Sequence, residues 1–415
     1  MLNVPLDSID KARIESLIAN EARESLTLEY KEKLPGGGRE ERKEFLADVS
    51  AFANAVGGDI FFGISEKRDD NKKTTGLPDQ AIGLEGINVD AMIRQIESII
   101  TDGIEPRING IRFKAIEGFE RGPVLLLRVP RSYLAPHMIK QGDSRFYSRT
   151  NAGKYPLDVT QVRSAFARSD ALPEKVRRFR DERIARIVAD ETPVPLPSPS
   201  RIVLHLLPAV SLDPTTQFDI NPLKYKGHET SPLNSEAGNN RYNLDGFLRY
   251  VPAGDPPVPA TYIQFYRNGA IEAVDTSMLV SHNPANAKKP FDPTPQEPVK
   301  LISSTFSERT LITDLKRLLN VQKSMGIDPP IFILLSLTGV RGFGVLTRWT
   351  NHEQTFVFDR DTILLPDSVA ESYEDRPDSL LQPAFDAIWQ ASGYEMCRHY
   401  KDEQWLDDNG QPAPI

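Results

Sequence analysis

Charged and aromatic side chains share a face in two short stretches of the chain. In the stretch LTLEYK, apolar and polar residues alternate with the period of a half-buried strand, so Glu29 and Lys31 point the same way. In the stretch RFYSR, the same alternation would place Arg145, Tyr147 and Arg149 on one face of a second strand. Cations grouped in this way can contact phosphate groups, whereas an exposed Glu–Lys pair contributes little by itself.

The distribution of charge points to the second stretch. Residues 107–186 carry 18 Lys and Arg against 8 Asp and Glu, a net charge of 18 − 8 = +10, whereas the whole chain of 415 residues has a net charge of −8. A basic segment inside an acidic chain is typical of a phosphate-binding surface; a solvated, salt-bridged helix over residues 174–188 is the alternative. The predicted nucleic-acid contacts are Arg145, Tyr147, Arg149, Lys154, Arg177, Arg178 and Arg180.

A strand, a helix and a second strand must position Glu29 and Lys31. After the break PGGG, apolar residues recur at helical spacing, so one face of about four turns is expected to pack on a sheet. A Gly-Gly pair ends this helix, and the run IFFGI follows as a buried strand. The polar run EKRDDNKKTTGLPDQ, which begins at Glu66, has no apolar period and is predicted to be an exposed loop. The apolar helix positions are Phe45, Leu46, Val49, Phe52, Ala53 and Val56.

Three blocks of the sequence together resemble a known family. ESLTLEYK, SAFANAVGGDIFFGIS and RFYSRTNAGKYPL are similar, in this order, to the signature blocks of the Schlafen-type AlbA-like domain, and the resemblance covers about residues 18–160. It implies an α/β domain with a mixed sheet that binds DNA or RNA, in a bacterial protein with a regulatory or defence role. The family is related to the nuclease lobe of animal Schlafens.

The resemblance also implies a set of catalytic residues. In the Schlafen nuclease lobes, the matching acids bind a divalent ion that supports RNA cleavage, and they correspond to Glu24, Glu29 and Glu66 here. Carboxylate oxygens suit Mg²⁺ or Mn²⁺, and Lys31 could neutralise a phosphate oxygen. The third position departs from the family, which commonly shows two acids where this chain has Ser65 and Glu66. A metal-dependent endoribonuclease acting on structured RNA is therefore the alternative to simple nucleic-acid binding.

Other functions stay open or are disfavoured by the sequence. Some relatives in the resembling family are labelled ATP-binding, and Asn54 with Gly57 and Gly58 would be the corresponding place here, although no Walker motif is present. A protein-interaction module is a further alternative. Cys397 is the only cysteine, which excludes an internal disulfide framework, and the six histidines are scattered, so no zinc site is predicted.

Length and linker composition predict the domain organisation. The Pro-rich run TPVPLPSPS cannot continue a helix, so we predict a nucleic-acid-binding domain with trailing basic helices over residues 1–190 and a linker over 191–200. Residues 201–415 mix strands and helices without a βα repeat, which predicts an α+β domain of unknown function and an α+β fold class overall.

The sequence also predicts the cellular location and the oligomeric state of the protein. The apolar runs are shorter than the ~20 residues of a membrane helix, and no secretory signal is visible, so a cytoplasmic protein that does not enter a membrane is expected. Animal Schlafens pair two such lobes and this chain shows one, so a homodimer is expected.

Overall fold

The chain divides into two compact units. The structure is a computed structural model that describes residues 4, 6–71, 73–142, 144–253, 258–282, 299–346 and 356–414. The first unit comprises residues 1–173 and the second comprises residues 174–415. This division differs from the predicted one, since the Pro-rich segment 191–200 lies inside the second unit.

Apolar packing explains the position of the boundary. Ile184 and Ile187 of helix α5 (Leu172–Val188) pack in a cluster of buried residues of the second unit. Val194, from the Pro-rich segment, packs into the same cluster. The helix ends at Val188, before the first proline of the segment, where Asp190 has φ +58° and the N–H of Glu191 donates to the carbonyl oxygen of Arg186. Val194, between two prolines, holds the Pro-rich segment in the second unit.

The first unit is an α/β structure built on one mixed sheet. Strand β1 runs parallel to β2, and the neighbours β7 and β6 are antiparallel, in the order β1-β2-β7-β6, which confirms the predicted mixed sheet. Its helices are α1 (Lys11–Ala19), α2 (Arg39–Asn54), α3 (Val89–Gly103) and α4 (Val159–Asp170). Its strands are β1 (Leu28–Lys31), β2 (Gly57–Phe62), β3 (Ile64–Arg68), β4 (Thr74–Ala81), β5 (Ile104–Glu105), β6 (Arg112–Phe119), β7 (Gly122–Pro130), β8 (Met138–Ile139), β9 (Tyr147–Thr150) and β10 (Gly153–Pro156).

Helices cover both faces of this sheet. Leu28 and Tyr30 of β1 pack in the cluster that includes α1, whereas α2 and α3 pack on the opposite face. Successive strand residues point to opposite faces, so Glu29 and Lys31 lie on the side of α2. The pair therefore sits at the margin of a packed face, on a strand at one edge of the sheet.

The segment after β2 is a hairpin and not the predicted loop. Strands β3 and β4 pair antiparallel, with Glu66 opposite Pro78 and with irregular register. Both strands are polar and mostly half-exposed or exposed on both faces. Because no face is buried continuously, the sequence carries no apolar alternation from which the strands could be predicted.

The second unit has the predicted α+β architecture. Its main sheet has the strand order β12-β13-β14-β15-β11-β18-β20, and β21 also pairs with β18. Its helices are α5, α6 (Ser304–Ser324) and α7 (Pro377–Ala391). Its strands are β11 (Arg201–Pro208), β12 (Asn239–Tyr242), β13 (Gly246–Ala253), β14 (Val258–Tyr266), β15 (Ile271–Asp275), β16 (Leu279–His282), β17 (Val299–Ser303), β18 (Ile331–Thr338), β19 (Phe343–Leu346), β20 (Ile363–Leu364), β21 (Ser368–Ala370), β22 (Tyr400–Lys401) and β23 (Gln404–Trp405).

Candidate functional site

Three elements bring the predicted glutamates of the first unit together. The backbone N–H of Glu24 donates to the carbonyl oxygen of Gly76 in β4 (2.7 Å), and the N–H of Gly76 donates to Oε2 of Glu66 (3.3 Å). Gly76 has φ +70°, and a Cβ added there would lie 3.5 Å from Oε2 of Glu24. The β3–β4 hairpin thus holds Glu66 beside Glu24. Glu24 precedes β1 in the chain, and β1 carries Glu29.

Glu29 is the most fully paired of these acids. Its Oε1 accepts from Nζ of Lys31 at 2.7 Å, and its Oε2 accepts from a guanidinium nitrogen of Arg149 at 2.8 Å. Burial alone would raise the pKa of Glu29, but the two cations outweigh burial and lower it. Glu29 is therefore held as a carboxylate between two cations.

Glu24 and Glu66 are less well compensated. Burial and the neighbouring charge of Glu29 raise the pKa of Glu24 to about 7, although its Oε1 accepts from the N–H of Tyr30 at 2.9 Å. Partial burial also raises the pKa of Glu66. Like charges that are close together and partly desolvated disfavour the ionised form.

Asp48 belongs to the same site, and the sequence reasoning missed it. It lies on α2 with only 2% of its surface exposed. Its Oδ1 accepts from Nζ of Lys154 at 2.7 Å, and its Oδ2 lies 3.4 Å from Nζ of Lys31. Burial and Glu29 raise the pKa of Asp48. The sequence signal that could have revealed Asp48 is an acidic residue between apolar residues on the buried face of α2.

Lys31 links Glu29 of β1 to Asp48 of α2. It contacts both Glu29 and Asp48, and 33% of its side chain is exposed, compared with 2% for Arg149 and 19% for Lys154. Burial would lower the pKa of Lys31, but Asp48 and Glu29 outweigh burial and raise it. We call the following residues the charged cluster: Glu24, Glu29, Lys31, Asp48, Glu66, Arg149 and Lys154.

The first group of predicted nucleic-acid contacts lies near the charged cluster but differs in exposure. Arg149 is buried, stacks over the ring of Phe52 at 3.9 Å, and also donates to the carbonyl oxygen of Ser25 at 2.9 Å. Arg145 is exposed, just before β9, and Tyr147 is half-buried at the start of that strand. Of these side chains, that of Arg145 is open to solvent.

The remaining predicted contacts lie in the second unit. Arg177 and Arg178 are exposed on α5, and Arg177 pairs with Glu174 at 3.0 Å, in agreement with the alternative of a solvated, salt-bridged helix face. Arg180 is mostly buried and pairs with Asp367. Their role in binding nucleic acid stays a prediction.

The residues considered for ATP have packing roles. The side-chain amide of Asn54 donates to the carbonyl oxygens of His137 (2.9 Å) and Tyr147 (2.7 Å) and accepts from the N–H of His137. Gly57 has φ +77°, and a Cβ there would lie 2.6 Å from the backbone nitrogen of Arg131. A Cβ on Gly58 would overlap the ring of Phe52. Asn54 thus ties the β9 strand to the end of α2.

The donor atoms of the predicted metal ligands in the first unit are not closely grouped. Within the described ranges, the group of three acid, histidine or cysteine donors whose ligand atoms all lie within 4.8 Å of one another is Glu308, Cys397 and His399, in the second unit. Glu24, Glu29 and Glu66 are more widely spaced, and both oxygens of Glu29 already accept from cations. Lys31 and Arg149 would compete with a divalent ion for Glu29, but each oxygen of a carboxylate keeps a second lone pair, so an ion held by the three glutamates stays a prediction.

Comparisons with curated proteins and with solved structures found only distant similarity. Among curated proteins, none matches this chain. The N-terminal domain of a putative ATP-dependent DNA helicase RecG-related protein from Nitrosomonas europaea is similar at 17% identity and a TM-score of 0.25, over 32% of this chain and 86% of that one. A crystal structure of a Corynebacterium diphtheriae protein is similar at 19% identity and a TM-score of 0.24, over 35% of this chain and 29% of that one.

Two further findings concern the chain itself. None of the helices in the described residues is long and apolar enough to cross a membrane. The sequence model of the family described as Schlafen, AlbA_2 matches residues 24–158. This match includes all seven residues of the charged cluster. Residues 24–158 are therefore similar to the family described as Schlafen, AlbA_2.

Proposed function

We propose that the first unit binds nucleic acid and that Lys31 contacts a phosphate at the mouth of the charged cluster. The observation that carries the proposal is the placement of Lys31 in a Schlafen AlbA_2 domain: it is the most exposed cation of the cluster, and Glu29 and Asp48 hold it in place. A side chain that is already fixed by two carboxylates loses little conformational freedom when it binds a ligand.

The net charge of the charged cluster predicts that phosphate binding at Lys31 depends on pH. When all groups are ionised, the three bases and four acids of the charged cluster give 3 − 4 = −1, so the cluster as a whole does not attract an anion. The proton that Glu24 takes up below a pKa of about 7 makes the cluster neutral. Phosphate binding at Lys31 should therefore strengthen as the pH falls through about 7.

The test is a salt titration of nucleic-acid binding, measured by fluorescence anisotropy with single-stranded and duplex DNA and RNA. Lys31→Ala should weaken binding to every sequence and reduce the salt slope by about 1, because one phosphate contact is lost. Lys67→Ala is the matched control, since Lys67 is also a partly exposed lysine paired with a glutamate at 2.7 Å. Absence of binding to any of these ligands at low salt would overturn the proposal and favour a protein-interaction module.

A second candidate function is metal-dependent RNA cleavage. It is supported by Glu24 and Glu66: the pKa of each carboxyl is raised, the charge of Glu66 contributes to the raised pKa of Glu24, and a divalent ion would relieve this repulsion. A bound Mg²⁺ or Mn²⁺ would polarise the phosphate and favour formation of the attacking oxygen. Lys31 would neutralise a phosphate oxygen beside it.

The cleavage candidate is tested with structured RNA such as tRNA in Mg²⁺ or Mn²⁺, with and without EDTA. Glu66→Gln keeps an oxygen that can accept from Gly76 but removes one charge, so it should abolish cleavage and leave RNA affinity unchanged or higher. Glu21→Gln, an exposed glutamate paired with Lys67, is the control and should cleave normally. A wild-type protein that is inert with both ions would eliminate this candidate and leave the binding proposal standing.

A further inference from the structure

A second group of metal-binding side chains lies in the second unit, away from the charged cluster. Glu308 of α6, Cys397 and His399 are 4%, 1% and 3% exposed, and one donor atom of each lies within 4.8 Å of the others. We propose that these three residues bind one zinc ion, which fixes the C-terminal segment of the chain to α6. The sequence did not predict this site, because Glu308 lies far along the chain and the Cys-x-His spacing is short.

The geometry fits zinc after a small adjustment. Nδ1 of His399 lies 2.7 Å from Oε2 of Glu308, and Sγ of Cys397 lies 3.4 Å from the same oxygen. Around a tetrahedral zinc ion, nitrogen and oxygen ligands are separated by about 3.3 Å, given bond lengths near 2 Å. The imidazole and the carboxylate would therefore separate by about half an ångström, a change that side-chain rotation can supply.

The surrounding groups match the outer shell of a metal site. Trp389 donates to Oε1 of Glu308 and Trp405 donates to Oε2, each from Nε1 at 2.7 Å. On the far side of the imidazole, Oδ1 of Asp408 lies 3.4 Å from Nε2 of His399. Metal-bound histidines commonly donate their second N–H to a carboxylate, and bound carboxylates are commonly hydrogen-bonded themselves.

Asp408 is itself held in position. The hydroxyl of Thr305, at the start of α6, donates to Oδ2 of Asp408 at 2.6 Å. A fixed carboxylate sets the tautomer of the histidine that faces it, which here would leave Nδ1 as the metal-binding nitrogen. The imidazole is thus oriented with Nδ1 toward Glu308 and Cys397.

Charge also favours a divalent ion at this buried position. A thiolate from Cys397 and a carboxylate from Glu308 carry two negative charges, and the imidazole of His399 is neutral as a ligand. One divalent ion balances these charges, which matters because an unbalanced charge in a buried site is costly. Sulfur, nitrogen and oxygen donors together suit zinc better than Mg²⁺ or Ca²⁺.

The test uses Co²⁺ as a spectroscopic substitute for zinc in the full-length protein after removal of metals with a chelator. One equivalent of Co²⁺ should produce visible absorption bands with the intensity typical of tetrahedral Co²⁺, together with a near-ultraviolet charge-transfer band from thiolate to cobalt. Added zinc should displace the Co²⁺ and remove both. Because Cys397 is the only cysteine of the chain, a thiolate band can come from no other residue. Zinc should also raise the Tm, since a ligand that binds only the folded state stabilises it.

Matched variants test the assignment of the thiolate ligand. Cys397→Ser should lose the thiolate band and weaken Co²⁺ binding at least tenfold, whereas Glu374→Gln, at an exposed acid of the same unit, should keep both. If wild-type protein shows neither the cobalt bands nor a zinc-dependent Tm, the three residues form only a hydrogen-bonded anchor and the proposal is wrong. Unchanged cobalt affinity in Cys397→Ser would likewise overturn it. Neither outcome depends on nucleic-acid binding.

Discussion

Two glutamates, one in each unit, show how differently the same side chain can be accommodated. Glu272 of β15 is fully buried and accepts from Arg183 (2.7 and 2.9 Å), His205 (2.9 Å) and the hydroxyl of Tyr262 (2.9 Å). Burial alone would raise its pKa, but the hydrogen bonds from His205 and Arg183 lower it to about 2. Glu24 is less buried, yet its pKa is raised to about 7.

The difference lies in the partners and not in the degree of burial. Glu272 has a bidentate arginine, and each of its oxygens accepts at least two hydrogen bonds, so the carboxylate is satisfied by the protein itself. Glu24 receives one backbone hydrogen bond and faces the charge of Glu29. A fully compensated acid stabilises the fold, whereas an under-compensated acid is available to a proton, an ion or a ligand. Three substitutions test this contrast.

The largest effect is expected for Glu272→Gln. It leaves the guanidinium of Arg183 buried without a balancing charge and should lower the free energy of unfolding of the second unit by about 3–5 kcal/mol. Urea unfolding followed by tryptophan fluorescence measures this unit specifically, because all three tryptophans of the sequence come after residue 173, where the second unit begins. Glu374→Gln is the control: its pairing with Lys323 is exposed, and its loss should cost less than about 0.5 kcal/mol.

The pH dependence of this unit sharpens the same comparison. The folded pKa of Glu272, about 2, lies below its ordinary value of 4.5, so its contribution is complete above pH 4.5 and is lost as the pH falls toward 2. Glu272→Gln should remove that part of the acid-induced loss of stability. An identical acid titration in wild type and variant would contradict the assignment of Glu272 as the stabilising carboxylate.

An intermediate effect is expected for Asp48→Ala in the first unit. The change removes the contacts to Lys31 and Lys154 and leaves a space at a buried position of α2, but both lysines keep a second acid, so the cost should be about 1–3 kcal/mol. Hydrogen exchange of the β9–β10 hairpin should accelerate, since Lys154 connects it to α2. Glu44→Gln removes an exposed partner of the same lysine and should change exchange far less.

The smallest effect, opposite in sign, is expected for Glu24→Gln. Because the folded pKa of Glu24 is raised, the unionised form is favoured in the native state, and stability falls as the pH rises from about 4.5 to about 7. The substitution should stabilise the first unit by about 1 kcal/mol at pH 8, after allowance for solvent screening, and by little at pH 4. Thermal unfolding followed by circular dichroism measures it. Destabilisation at pH 8 would show that the Glu24 charge is compensated after all.

Local patterns in the sequence determined a large part of the fold. Period-2 alternation placed Leu28 and Tyr30 on one face of β1 and Glu29 with Lys31 on the other, and helical spacing predicted α2. Such patterns arise from neighbours within a few residues, which the sequence displays directly. The α+β fold class and the family resemblance could be predicted from the sequence for the same reason.

The partners of the charged side chains were decided only by the tertiary structure. Arg149 meets Glu29 across 120 residues, and Asp48 meets Lys154 across 106. A cation in an extended stretch appears the same in sequence whether it faces solvent or a buried carboxylate, so Arg149 was predicted as a surface contact. The sequence supplies the charges, but long-range packing determines which of them are satisfied by the protein and which are left for a ligand.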